Sequence, residues 1–130
     1  VVAGGKRHAL GRTFYEPTVL TNVTTKMLLA QEETFGPVAP LFRFKDEKEA
    51  IAIANGTPYG LVAGVWTRDV ANAHRMAALL EAGDVYVNIW GPSDPSAPFG
   101  GIKASGIGRE HGREGLDAYL ETKTVWVNLA

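Results

Sequence analysis

No cysteine occurs among the 130 residues. That excludes a disulfide framework, a thiolate metal site and a thiol nucleophile from the chain itself. It also agrees with a reducing compartment, and a cytoplasmic location is expected. No apolar run approaches the roughly twenty residues that cross a bilayer. No initiating Met or basic segment of a secretory signal is visible either, so no membrane partner is expected. An excess of positive charge is also missing: 13 Lys and Arg against 14 Asp and Glu leave a formal charge of −1. Such a balance offers no field to nucleic acid or anionic lipid. The three histidines, His8, His74 and His111, fall at no metal-ligand spacing, and no metal site is expected. The P-loop pattern and a Gly-x-Gly-x-x-Gly following a strand are absent as well. No Ser-His-Asp triad can be argued.

What remains is an ordinary globular composition, 45% apolar and 21% charged, in a length sufficient for one domain with a core. The chain opens on Val1-Val2-Ala3-Gly4-Gly5, inside what reads as a strand, so a fragment of something longer is expected. Phe14 to Val23 reads as extended, with Pro17 confining it to an edge. Thr25 can cap a short helical turn through Leu29, and Pro37 stops any helix before a strand at Pro37 to Phe44. Asp46 with Glu49 forms a capping box for a helix that buries Ala50, Ile51, Ile53 and Ala54 and ends at Gly56. Leu61 to Thr67 is β-rich. Asp69 caps a second helix with a stripe of Val70, Ala73, Met76, Ala77 and Leu80, ended by Gly83 as a left-handed residue. Asp84 to Ile89 is a run of β-formers, and Glu114 to Leu120 reads as a short helix. Strand–helix–strand–helix–strand from Pro37 to Ile89 predicts α/β with βαβ units and a mostly parallel sheet.

Lys123 to Leu129 alternates, with Val125, Val127 and Leu129 on one face and Thr124, Trp126 and Asn128 on the other. Alternation implies one buried face, unlike a strand covered on both sides of a parallel sheet. Two readings stay open: edge addition to another subunit, or an antiparallel edge strand on the same domain.

Two loops carry groups suited to chemistry. In Gln31 to Pro37, paired Glu32 and Glu33 sit beside Phe35. A carboxylate accepts two hydrogen bonds from vicinal hydroxyls, and an aromatic can wall a flat ring. Residue physics alone favours the plainer alternative, two solvated carboxylates and a core Phe35. In Gly91 to Gly112, five glycines between Gly100 and Gly112 dissolve any helix or strand periodicity. Asn88 can anchor this loop. Trp90 and Phe99 bracket a Pro- and Ser-rich stretch suited to an apolar pocket. Glu110 is either an ion-pair partner of Arg109 or a proton-relay group in a cleft.

Glu32-Glu33-Thr34-Phe35-Gly36-Pro37 and Pro98-Phe99-Gly100-Gly101-Ile102-Lys103-Ala104-Ser105-Gly106-Ile107-Gly108-Arg109-Glu110 together resemble the aldehyde dehydrogenase superfamily. Tyr59-Gly60-Leu61, Thr67-Arg68-Asp69, Val87-Asn88 and Tyr119-Leu120-Glu121-Thr122-Lys123-Thr124-Val125 agree in order and spacing. The resemblance covers essentially the whole chain and corresponds to the C-terminal quarter of a full-length enzyme. Residues 1–120 would then belong to the catalytic domain and 121–130 to an oligomerisation strand, with the Rossmann domain and the cysteine nucleophile upstream. It implies oxidation of an aldehyde to a carboxylic acid through a cysteine thioester, with NAD or NADP as cofactor. It implies a homo-oligomer, dimer or tetramer, assembled through the C-terminal strand.

By motif match, the resemblance makes Glu33 the carboxylate that holds the nicotinamide-side ribose and puts Phe35 near the nicotinamide. Phe99 matches a wall of the substrate tunnel, and Trp90 and Ser93 fall on the loop that varies with substrate. Glu110 matches an accessory carboxylate on the proton route. Without the nucleophile, these 130 residues alone are expected to be inactive. The alternative is a stand-alone, non-catalytic α/β module for binding or assembly.

Overall fold

The computed structural model describes all residues, 1–130, which fall into two compact units, Val1–Pro58 and Tyr59–Ala130. In the first unit, β1 (Thr18–Val23) pairs in parallel with β2 (Val38–Phe42), Thr18 opposite Val38 and Val23 opposite Phe42. The register slips between Leu20 and Val23, where Asn22 takes a left-handed φ of 55°. The N-terminal residues lie along the other side of β1: Val19 donates to the Ala3 carbonyl at 3.0 Å. Buried Thr18 closes the corner, its hydroxyl accepting from Gly5 N and donating to the Glu16 carbonyl, both at 2.8 Å. The expected helical turn is a single 3-10 turn, Leu28–Ala30, without a side-chain cap.

Helix α1 (Glu47–Asn55) begins where capping predicts. Asp46 Oδ1 accepts from Glu49 N at 2.9 Å. The reciprocal bond from Glu49 goes one residue further back, to Lys45 N at 2.8 Å, which still satisfies an otherwise orphaned donor.

In the second unit, β4 (Val62–Val65), α2 (Val70–Leu79) and β5 (Asp84–Val87) form a βαβ unit with β4 and β5 parallel, Val62 opposite Asp84 and Val65 opposite Val87. Parallel pairs in both units give the expected α/β class. Asp69 caps α2 by accepting from Ala71 N and Asn72 N at 2.8 and 3.1 Å. The short strands β3 (Tyr59–Gly60) and β6 (Ile102–Lys103) pair antiparallel. Helix α3 spans Gly112–Asp117, two residues earlier than its apolar residues suggest.

Several expectations fail for identifiable reasons. Helix α2 ends at Leu80, whose backbone is already extended (φ −78°, ψ 128°), and Gly83 is not left-handed. Its glycine is needed for proximity: a β-carbon there would sit 1.6 Å from the Gly100 carbonyl oxygen. The glycine-rich loop is not free of strand structure, because it contains β6 and an isolated antiparallel bridge between Phe99 and Glu110. Residues 121–130 form no ladder with any strand of this chain, so the same-domain edge strand does not occur.

The expected core is also far smaller than the apolar content suggests. Only Val23 and Val65 are buried hydrophobics, and Val70 at the head of the α2 stripe is 71% exposed. The apolar faces exist, but this chain does not supply what covers them.

Candidate active site

Strand alternation builds the site. Residues two apart share a face, so Val62 and Gly64 of β4 lie with Asp84 and Tyr86 of β5 on the side opposite Val65 and Val87. Past β5 the chain continues through Asn88 to Trp90. Asn88 does not anchor the following loop. Its Nδ2 donates to the Thr67 carbonyl at 2.7 Å, its Oδ1 accepts from Thr67 N at 2.8 Å, and its own N–H reaches Val65 O at 2.8 Å. One side chain thereby adds a further rung to the ladder, with φ at 57°.

Over this face lies an open cavity of about 540 Å³, within the range of small-molecule sites. Trp90, Ser93, Phe99 and Glu110 all line it, joined by Tyr86 and Pro98. Four of the six residues singled out from the sequence therefore meet at one place. Asp84 to Ile89 reads in the sequence as a run of β-formers, which hides Tyr86; its two-residue spacing from Asp84 on one strand face is the available signal.

The rim is held from several sides. Phe99 N donates to Glu110 O at 2.8 Å, and Glu110 N to Phe99 O at 2.7 Å. Gly100 N reaches Asp84 Oδ2 at 3.3 Å, and Ser105 Oγ accepts from Gly60 N at 2.9 Å. Arg109 spends its guanidinium on the carbonyls of Gly101 and Gly108, at 2.8 and 2.7 Å. It does not pair with Glu110, an exposed residue of the cavity wall. Asp94 Oδ1 accepts from Ser96 N and Ser96 Oγ, at 2.8 and 2.7 Å. Those two bonds, the backbone one first, hold its carboxyl below the ordinary value of 3.8. The charged side chains that line the cavity are the carboxylates Asp84, Asp94 and Glu110, with His111 beside them and no Lys or Arg.

Glu33 and Phe35 belong to the first unit, on the segment that leaves the 3-10 turn and enters β2. That segment is fixed at both ends, by Glu32 N to Leu28 O at 2.8 Å and by Thr18 N to Pro37 O at 2.8 Å. Phe35 is 93% exposed, so it is not a core residue. The Glu33 carboxylate is exposed as well. No group of three His, Cys, Asp or Glu side chains is placed to hold a metal. No helix is long and apolar enough to cross a membrane.

The sequence profile of the Aldehyde dehydrogenase family matches residues 1–125. The chain belongs to that family. It is 54% identical over 123 residues to the glutarate-semialdehyde dehydrogenase of Pseudomonas aeruginosa, covering 95% of this chain and 26% of that protein. An NAD+ complex of an aldehyde dehydrogenase from Bacillus cereus superposes with a TM-score of 0.92 at 47% identity, over 98% of this chain and 26% of that one. An NADP-dependent enzyme of E. coli gives a TM-score of 0.88 at 50% identity, over 92% and 25%. The chain thus spans about a quarter of the length of the family members it matches.

Proposed function

We propose that these residues are the C-terminal quarter of an NAD(P)-dependent aldehyde dehydrogenase, with 1–120 completing its catalytic domain and 121–130 adding as a strand to a partner subunit in a homo-oligomer. The observation that carries the reading is the convergence of Trp90, Ser93, Phe99 and Glu110 on one cavity in a chain of this family. The overall reaction takes an aldehyde, NAD(P)+ and water to a carboxylic acid, NAD(P)H and a proton. A cysteine thiolate, which this chain lacks, would add to the aldehyde carbon in the remaining part of the enzyme; the adduct would become a thioester only on giving up a hydride to the acceptor, and water would then release the acid.

The bound cofactor supplies a hydride acceptor. The donor set present fits it: the exposed Glu33 carboxylate can accept both hydroxyls of a ribose diol. The exposed ring of Phe35 offers a face to a flat heterocycle. Phe99, Trp90 and Ser93 wall the aldehyde's carbon chain. Glu110, held by its backbone to Phe99, keeps a carboxylate at the cavity edge, where it can pass a proton toward solvent.

Aldehyde-dependent NADH or NADPH production is expected from the protein read through from its upstream coding sequence, and none from residues 1–130 alone. Turnover by the 130-residue chain, or an upstream frame that encodes neither a nucleotide-binding fold nor a cysteine, overturns the proposal.

A further inference from the structure

The proposed function uses Trp90 but not the residues that hold it. Gly64 sits directly opposite Tyr86 in the parallel register, and Trp66 follows it two residues on, on the same face. A β-carbon on Gly64 would lie 2.7 Å from Cζ3 of Trp66 and 3.0 Å from Cζ3 of Trp90. Both indole rings therefore rest over the bare backbone of that glycine, a cover that compensates for its missing side chain. Trp66 stacks on Trp90 with centroids 6.4 Å apart and planes 20° from parallel. Tyr86 meets Trp90 edge-on at 5.9 Å and 78°. The backbone gives Trp90 little restraint, since Gly91 follows at φ 70° with open space around it. Ring contacts must fix its orientation.

Trp90 and Tyr86 line the cavity, whereas Trp66 and Gly64 lie outside it. We propose that Trp66 is a positioning residue for substrate selection: seated on Gly64 and stacked on Trp90, it sets the angle at which the Trp90 ring walls the cavity, and hence the width left for the group an aldehyde carries. The inference rests on the aldehyde-oxidising reading and adds to it a residue that touches no substrate.

Two measurements separate the inference from that reading. Trp66→Leu removes the stack while keeping an apolar cover. Gly64→Ala pushes only on the far ends of two side chains, at a backbone angle alanine adopts without strain. In the 130-residue chain, stacked indoles give an exciton couplet in circular dichroism. Both variants are expected to abolish or shift it, while Trp126→Phe leaves it intact.

In the enzyme read through from its upstream sequence, Trp66→Leu is expected to raise the kcat/KM ratio of a bulky aromatic aldehyde over a short aliphatic one by about tenfold. The change is expected to lie mainly in KM, with kcat for the short aldehyde at the wild-type level. Trp66→Phe, which still stacks, is expected to restore the wild-type ratio. A couplet lost with the ratio unchanged overturns the proposal, and so does a couplet that both variants leave untouched. Wild-type enzyme that turns over no aldehyde, with the couplet present, overturns the functional reading and the selection role together, while the stack itself stands.

Discussion

Replacing Asn88 tests whether one side chain extends the β4–β5 ladder. Asn88→Ala removes two reciprocal bonds to Thr67, at 2.7 and 2.8 Å. They are exposed, so each contributes about 0.5 kcal/mol, the low end for a neutral hydrogen bond. Alanine must also hold a φ of 57°, which costs about 1 kcal/mol for a side chain that, unlike that of asparagine, cannot offset it with a local hydrogen bond. The loss is then about 2 kcal/mol. Asn88→Gly loses the same two bonds and adds an entropic cost of about 0.5 kcal/mol, but removes the strain. Its loss is about 1.5 kcal/mol. Urea unfolding followed by the fluorescence of Trp66 and Trp90, which flank the rung, reads the difference. At an m-value of about 1–2 kcal/mol/M, alanine lowers the midpoint by about 1–2 M and glycine by about three quarters as much. A glycine variant less stable than the alanine variant, or an alanine variant at the wild-type midpoint, refutes the account.

Other positions give sharper or simpler readings. Gly83→Ala forces a methyl group into the Gly100 carbonyl and is expected to cost about 1–3 kcal/mol as overpacking. Gly36→Ala, whose nearest neighbour would be 4.0 Å away, should unfold at the wild-type urea concentration; equal midpoints for the two variants contradict the close approach. The Asp94 turn should persist well into acid. A carboxyl whose folded pKa is depressed stabilises fully above its unfolded value of 3.8 and loses that stabilisation as pH falls through the lower folded value. The Ser96 amide resonance should therefore move only below the ordinary carboxylate range, and a midpoint at or above that range counts against the two Ser96 bonds. At the C-terminus, Trp126→Lys places a charge on an unpaired segment whose Trp126 and Leu129 are each 93% exposed and should reduce self-association in sedimentation. A wild-type chain that stays monomeric at high concentration argues against edge pairing.

The parts legible in the sequence are those whose causes are local. Asp46 and Asp69 mark helix starts because a cap bonds to backbone two or three residues away. The β4–α2–β5 order follows from composition over short windows. The site residues were found through motif order rather than through geometry, and their meeting at one cavity depends on the Phe99–Glu110 bridge, which spans a glycine-rich stretch with no strand propensity. The expectation of a left-handed Gly83 fails for the same reason, since the contact that demands glycine comes from Gly100, seventeen residues on. Trp66 reads in the sequence only as one of several β-formers, because nothing nearby in sequence reveals the ring it faces. The core was overestimated because hydrophobicity records what must be covered, not whether the cover lies in the same chain.

The reciprocal bonds between Phe99 and Glu110 tie a wall residue and an acidic residue to one point of the backbone. Neither can shift along the rim without carrying the other, so moving this segment to reshape the cavity would also displace Glu110. Side-chain exchange at positions 90, 93 and 99 leaves the tie intact, and extra residues inserted between Gly100 and Arg109 would bulge outward beyond it. Under the proposed function, variation in the aldehyde accepted is thereby separated from variation in the route of the proton. A library aimed at new aldehydes should keep both backbone bonds and diversify the three side chains.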